Sequence, residues 1–125
     1  MLTYKMKEKG YSIDLPYGEL DISGDETAGF RPYQLLVSSI AVCSGGVYRK
    51  ILAKKRIDYT TIDIEAEVVR NEANVNEVTE VRLMFYVKGA SVAVEKLEKA
   101  LELATKIVRS FSLSIKAFSL RKKLF

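Results

Sequence analysis

Cys43 is the one cysteine in the 125 residues, and it is the one side chain able to act as a redox centre. A thiolate is a strong nucleophile and oxidises reversibly to a sulfenic acid. Histidine is absent, which removes Cys-His and Ser-His catalysis, His-containing zinc sites and histidine pH switching together. Acid–base chemistry is left to Asp, Glu, Lys, Tyr or the thiol. Upstream of Cys43 lie Asp25 and Glu26 in a polar stretch, then Tyr33 and Gln34 at the start of an apolar run. Tyr33 reads either as a pocket-lining aromatic or as a phenol bonding near the thiol. Gln34 either meets a bound polar group or makes a capping bond. Glu65 and Glu67 are two apart, which resembles an acid pair, but with Asp63 they read as a solvated strand face. No metal constellation stands out and no cofactor is implied. Gly45-Gly46 is not a phosphate loop, because a helical pattern precedes it instead of a strand.

The elements that must hold these groups alternate clearly. Leu2, Tyr4 and Met6, then Tyr11, Ile13 and Leu15, then Leu20 and Ile22 have the period of short strands, with Pro16-Tyr17-Gly18 as a turn. Residues 23–30 are polar and glycine-containing, which predicts a loop. Pro32 suits the first turn of a helix, where its missing N–H would have no partner. From Tyr33 to about Lys55, Leu36, Ile40, Cys43, Val47 and Ile51 recur at helical spacing. Before Tyr48 this helix is apolar or small on nearly every side, so it must be buried on every side. One small sheet from its own chain can hardly achieve that, which is the physical reason to expect a partner subunit. Gly45-Gly46 marks a kink or a close approach of another element. Two long strands follow, Ile62 to Val68 and Val81 to Val87, half-buried and antiparallel. Ser91 is an N-cap for an amphipathic helix with a Val94, Leu97, Leu101, Ala104 and Val108 stripe, which should cover a sheet face. Residues 111–118 are ambiguous, and residues 119–125 could add an edge strand.

The length is that of one domain over residues 1–125. A 48% hydrophobic and 29% charged composition is that of a soluble globular protein. No signal-peptide pattern stands at the N-terminus, the apolar stretch from Leu35 to Val47 is too short to span a bilayer, and a lone cysteine asks for no oxidising compartment. A cytoplasmic protein without membrane contact is expected. The net charge of +4, densest at Lys54-Lys55-Arg56 and Arg121 to Lys123, lacks the aromatic-lined stripe of a nucleic-acid reader, so no nucleic-acid partner is expected.

The stretch Arg31-Pro32-Tyr33-Gln34-Leu35-Leu36-Val37-Ser38-Ser39-Ile40-Ala41-Val42-Cys43 resembles the OsmC/Ohr pattern Asn-Pro-Glu-Gln-Leu followed by small apolar residues and a cysteine. Pro32 lies at the family spacing from Cys43, and the element order also matches. The resemblance implies an α+β fold of antiparallel sheets with a long buried central helix, assembled as an intertwined homodimer with two sites near the interface. It implies reduction of organic hydroperoxides through a thiolate at Cys43, with external thiols as reductant. It also implies Arg31 as the cation beside the thiolate, and Tyr33, Gln34 and Phe111 lining a pocket. The sequence departs from the family pattern in several places. Tyr33 stands where the family has glutamate, Arg31 where it has asparagine, and Ser110-Phe111-Ser112 where a second cysteine is expected. Asp25 or Glu26 could replace the glutamate. A one-cysteine peroxidase is therefore one reading. A non-catalytic dimer of the same fold, binding a small apolar ligand or a protein partner, is the other. In the bland reading of Cys43 itself, the thiol is a small buried hydrophobe.

Overall fold

The computed structural model describes residues 1–71, 77–111 and 118–122. They form two compact units, Met1–Ser38 and Ser39–Phe125.

The first unit carries a meander of β1 (Lys5–Lys7), β2 (Gly10–Leu15) and β3 (Gly18–Ile22), antiparallel throughout. Alternation of side chains along these segments produces the pleat, and the pairing of Leu15 with Gly18 leaves Pro16-Tyr17 as a two-residue loop. Gly10 opens β2 at φ +107°, and a side chain there would strike the Ile22 carbonyl. The polar stretch after β3 is a loop tied back to the sheet. Phe30 N–H donates to the Asp21 carbonyl at 2.9 Å and Ser23 N–H to the Phe30 carbonyl at 3.0 Å. Within that loop the Asp25 carboxylate accepts from Thr27 N–H at 2.9 Å and from Thr27 Oγ1 at 2.6 Å.

Helix α1 (Pro32–Lys54) begins at the expected proline. The Arg31 carbonyl accepts its first bonds, from Gln34 N–H at 3.0 Å and Leu35 N–H at 3.2 Å. It ends in a Schellman motif, with Ile57 N–H reaching the Leu52 carbonyl and Arg56 N–H the Ala53 carbonyl. Arg56 supplies the left-handed residue at φ 55°, a position usually given to glycine. Val37, Ile40, Ser44, Tyr48, Ile51 and Leu52 are buried, a spacing that keeps one helix face inward. The opposite face is open: Val42 is 72% exposed and Leu36 43%, and Cys43 and Gly46 are exposed too. Burial on all sides, expected from composition, is not achieved by this chain alone. By length and composition α1 could cross a membrane, unlike the shorter apolar stretch seen in the sequence, but its inward face is part of a packed core.

The second unit continues with β4 (Thr61–Asn71), β5 (Glu77–Lys88), α2 (Val94–Phe111) and β6 (Phe118–Lys122). β4 and β5 are antiparallel, with Ile64 opposite Phe85 and Ala66 opposite Leu83. β6 is the edge strand expected near the C-terminus, but it runs parallel to β5, so this sheet is not purely antiparallel. A parallel neighbour needs a crossover, which α2 supplies. Val81, Leu83, Phe85 and Val87 are each fully buried, and Leu97, Ala100, Leu101, Ala104 and Val108 form the buried stripe of α2. Val94, counted into that stripe from its spacing, is exposed. Ser91 does not cap α2. Its hydroxyl accepts from Asp58 N–H at 3.0 Å and its own N–H donates to the Asp58 carbonyl, pinning the two chain segments together. Tyr48 joins the layers: its ring meets Phe85 edge-on at 5.5 Å and its hydroxyl donates to the Leu97 carbonyl at 3.1 Å. The double glycine is half explained. A Cβ at Gly45 would lie 2.7 Å from Ile64 Cδ1, so glycine lets α1 approach β4, whereas Gly46 faces open space. Residues 111–118, ambiguous in their sequence pattern, fall largely outside the described residues.

Candidate functional site

The side chain facing Cys43's way along α1 follows from helical periodicity. With 100° per residue, Leu36, Ser39, Gly46, Val47 and Lys50 share its sector. Of these Leu36, Ser39, Gly46 and Lys50 are exposed, as is Cys43. The thiol therefore emerges from a stripe of apolar and small residues that the chain leaves uncovered. The reading of Cys43 as a buried hydrophobe is not met within this chain. Behind it, the buried Ser44 hydroxyl donates to the Ile40 carbonyl at 2.7 Å, so the helix has no stray polar group on its core side there. Burial pushes the Tyr48 phenol up to about 12, which keeps it neutral and a donor to Leu97 at any physiological pH.

The other expected site residues belong to the first unit, apart from Phe111. Arg31 is at the start of α1, and its guanidinium lies over the Tyr33 ring at 4.9 Å from the centroid, a cation–π pair. Tyr33 is half-buried and Gln34 is exposed. Arg31 and Tyr33 are thus brought together, with Gln34 bonded through its backbone to Arg31. Phe111 is the last residue of α2, and its side chain lies outside the described residues. Asp25 does not stand ready as a substitute carboxylate. Its oxygens are engaged by Thr27, with Lys9 Nζ at 3.3 Å, and those bonds hold its carboxyl below the ordinary range. Glu26 is exposed.

Two hollows on the second unit were not picked out as sites from the sequence. One, of about 640 Å³, lies on the outer face of β4–β5 and is lined by Asp63, Glu65, Tyr86, Lys88 and Gly89. Tyr86 donates to Glu65 at 3.0 Å, which pushes the phenol up, so this charged face is internally paired as well as solvated. The other, of about 400 Å³, is lined by Gly46, Arg49, Lys50, Ala53 and Tyr59, and begins one turn beyond Cys43. The signal for it was present in the spacing: Gly46 and Lys50 follow Cys43 at i+3 and i+7. Among the described residues no three Cys, Asp or Glu side chains converge as metal ligands.

Comparison with known proteins agrees with this architecture. The family model described as OsmC-like protein matches residues 23–109, well over half of the chain. Among solved structures, the OsmC-like protein from Mycoplasma pneumoniae superposes with a TM-score of 0.82 at 13% identity, covering 99% of this chain and 95% of that one. A hypothetical protein from Aquifex aeolicus gives 0.77 at 24% identity, covering 100% and 96%. The organic hydroperoxide resistance protein OhrB of Bacillus subtilis gives 0.66 at 18% identity, covering 100% and 96%. No curated protein matches the chain. The mixed α+β architecture, the long helix bearing Cys43 and the family match lead to one assignment: this chain belongs to the OsmC-like protein family.

Proposed function

We propose that the protein is a cytoplasmic, one-cysteine, thiol-dependent reductase of organic hydroperoxides that works as a homodimer. The observation that carries this reading is the exposed Cys43 on an otherwise apolar helix face. OsmC-like family membership supports a redox role in oxidative stress. In the reaction, the Cys43 thiolate attacks the terminal oxygen of the peroxide. An S–O bond forms, the O–O bond breaks, and the alkoxide leaves and takes a proton to become the alcohol. The sulfur is then a sulfenic acid. With no second cysteine in the chain, an external thiol must displace water from it, giving a mixed disulfide. A second external thiol attacks that disulfide, releasing oxidised reductant and restoring Cys43.

The dimer is supported by what the single chain leaves uncovered. Leu36 and Val42 are exposed on α1, and on the apolar face of β4 Ala66 is exposed while Ile62, Ile64 and Val68 are half-buried. A second copy is the natural occupant, because apolar faces of this extent call for a partner. It would also supply a cation. Along one helix the rise of about 1.5 Å per residue takes Arg31 far from Cys43, so an arginine acting on the thiolate is better placed in trans, as the partner subunit's Arg31. Tyr33 and Gln34 accompany that arginine as pocket residues.

Anaerobic titration of the Cys43 thiol with cumene hydroperoxide, against hydrogen peroxide and against Cys43→Ser, tests the activity. Oxidation far faster than that of free cysteine is expected. A thiol that reacts no faster would favour the other reading, a non-catalytic dimer binding a small apolar ligand or protein partner. Tyr33 at the family's glutamate position and the absent second cysteine would fit that outcome.

A further inference from the structure

The outer face of β4–β5 pairs its charges unevenly. Side chains at alternate positions share that face, and the strand register sets Asp63 opposite Tyr86, Glu65 opposite Met84 and Glu67 opposite Arg82. Toward one end the charges close on one another, with Arg82 bonded to Glu80 at 2.8 Å and within 3.7 Å of Glu67. Toward the other end lies the hollow of about 640 Å³ lined by Asp63, Glu65, Tyr86, Lys88 and Gly89. Asp63 and Lys88 are exposed there, and among the described residues neither makes an ion pair. They are diagonal neighbours across two paired strands, within reach of a long lysine side chain, yet the pair stays open. Tyr86 donates to one oxygen of Glu65 and leaves the other for a further donor. Gly89 keeps the rim bare: its φ is +70°, and a side chain there would strike Thr60.

We propose that this hollow binds a free basic amino acid. Two carboxylates and one ammonium line it, so its complement carries two cationic groups and one carboxylate. A lysine-like molecule has that set, with its two ammonium groups on Asp63 and Glu65 and its carboxylate on Lys88. Residues two apart on a strand are about 6.6 Å from one another, a span of the same order as that between the two ammonium groups of an extended lysine. The Tyr86 ring and the methylenes of Lys88 offer apolar surface to the chain between them. Phe85 and Val87 point to the opposite, buried side of β5. The apolar face of β4 that a second copy would cover is likewise the opposite one, so dimerisation there leaves the hollow open. None of this depends on the chemistry of Cys43.

Titration of the full-length protein with L-lysine, L-norleucine and cadaverine, followed by the amide resonances of Asp63 and Gly89, tests the site. Norleucine lacks the side-chain ammonium and cadaverine lacks the carboxylate. L-lysine should bind about three- to five-fold more tightly than either, as expected for one added ion pair at an exposed site. Asp63→Asn should remove the preference over norleucine, and Lys88→Met the preference over cadaverine. Both substitutions are at exposed positions, and circular dichroism checks that each variant is folded. Raising the salt should weaken L-lysine more than norleucine. Equal affinity for the three molecules, shifts scattered over the surface away from β4 and β5, or preferences unaltered in both variants overturn the proposal.

Discussion

Tyr48 holds the helix that presents Cys43, and replacing it by phenylalanine should give a stability difference that changes sign with pH. The substitution keeps the edge-on ring contact with Phe85 and removes the hydroxyl that donates to Leu97. The Leu97 carbonyl lies inside α2 and has its helical partner, so no acceptor is orphaned and the loss at pH 7 should be about 1 kcal/mol. Alkaline pH works the other way. The phenol is raised from about 10 in the unfolded chain to about 12 by complete burial. The unfolded state therefore loses its proton first. The stabilising effect is fully present below pH 10 and is lost as pH rises through 12. Integrating the linkage relation, wild type loses about 1 kcal/mol from this residue by pH 11, and approaches about 3 kcal/mol above pH 12. The phenylalanine variant loses none of it. The other tyrosines and the lysines titrate in both proteins and cancel in the difference. Urea unfolding by far-ultraviolet circular dichroism, at one protein concentration between pH 7 and pH 11, should show wild type ahead at neutral pH and the two curves meeting near pH 11. A gap that is the same at both ends of that range would refute the assignment of a buried, neutral phenol as the link between α1 and α2.

Other substitutions probe separate parts of the argument. Val42→Glu, on the exposed face of α1, should convert the proposed dimer into a folded monomer in sedimentation; a dimer unchanged by it would place the interface elsewhere, and a wild-type monomer at micromolar concentration would remove the dimer. Gly45→Val should cost about 1–3 kcal/mol by pressing on Ile64, whereas Gly46→Ala should stabilise the helix by up to about 1 kcal/mol, both read by thermal unfolding. Arg56→Val forces a branched side chain into the left-handed position and should cost more than about 1 kcal/mol, while Arg56→Gly should be tolerated. Leu83→Ala, at a fully buried position of β5, should cost about 2–5 kcal/mol.

Much of the fold could be read from residue order, because local rules and global packing agree along most of the chain. Pro32 opens α1 as its missing N–H requires. The alternation from Val81 to Val87 becomes a strand whose inward residues are all buried, and the family spacing from Pro32 to Cys43 led to the right family. What failed were choices between partners for a single polar group. Ser91 has the chemistry of a cap, but Asp58, distant in sequence, took its hydrogen bonds. Asp25, open in the sequence to a catalytic or a solvated role, took Thr27 two residues away as its partner. The direction of β6 was equally hidden, since a five-residue strand alternates in the same way whether parallel or antiparallel.

The sequence by itself determined the types of element, the one redox-capable atom and the absence of imidazole chemistry, since these depend on composition and on periods of two and 3.6 residues. Only the tertiary structure decided which face of the apolar helix looks outward. Composition made every face equally suited to burial, and the sheet and α2 could cover only one of them. That asymmetry leaves Cys43 exposed in the same sector of α1 as the exposed Gly46 and Lys50, an outcome that depends on three-dimensional packing as well as helical spacing.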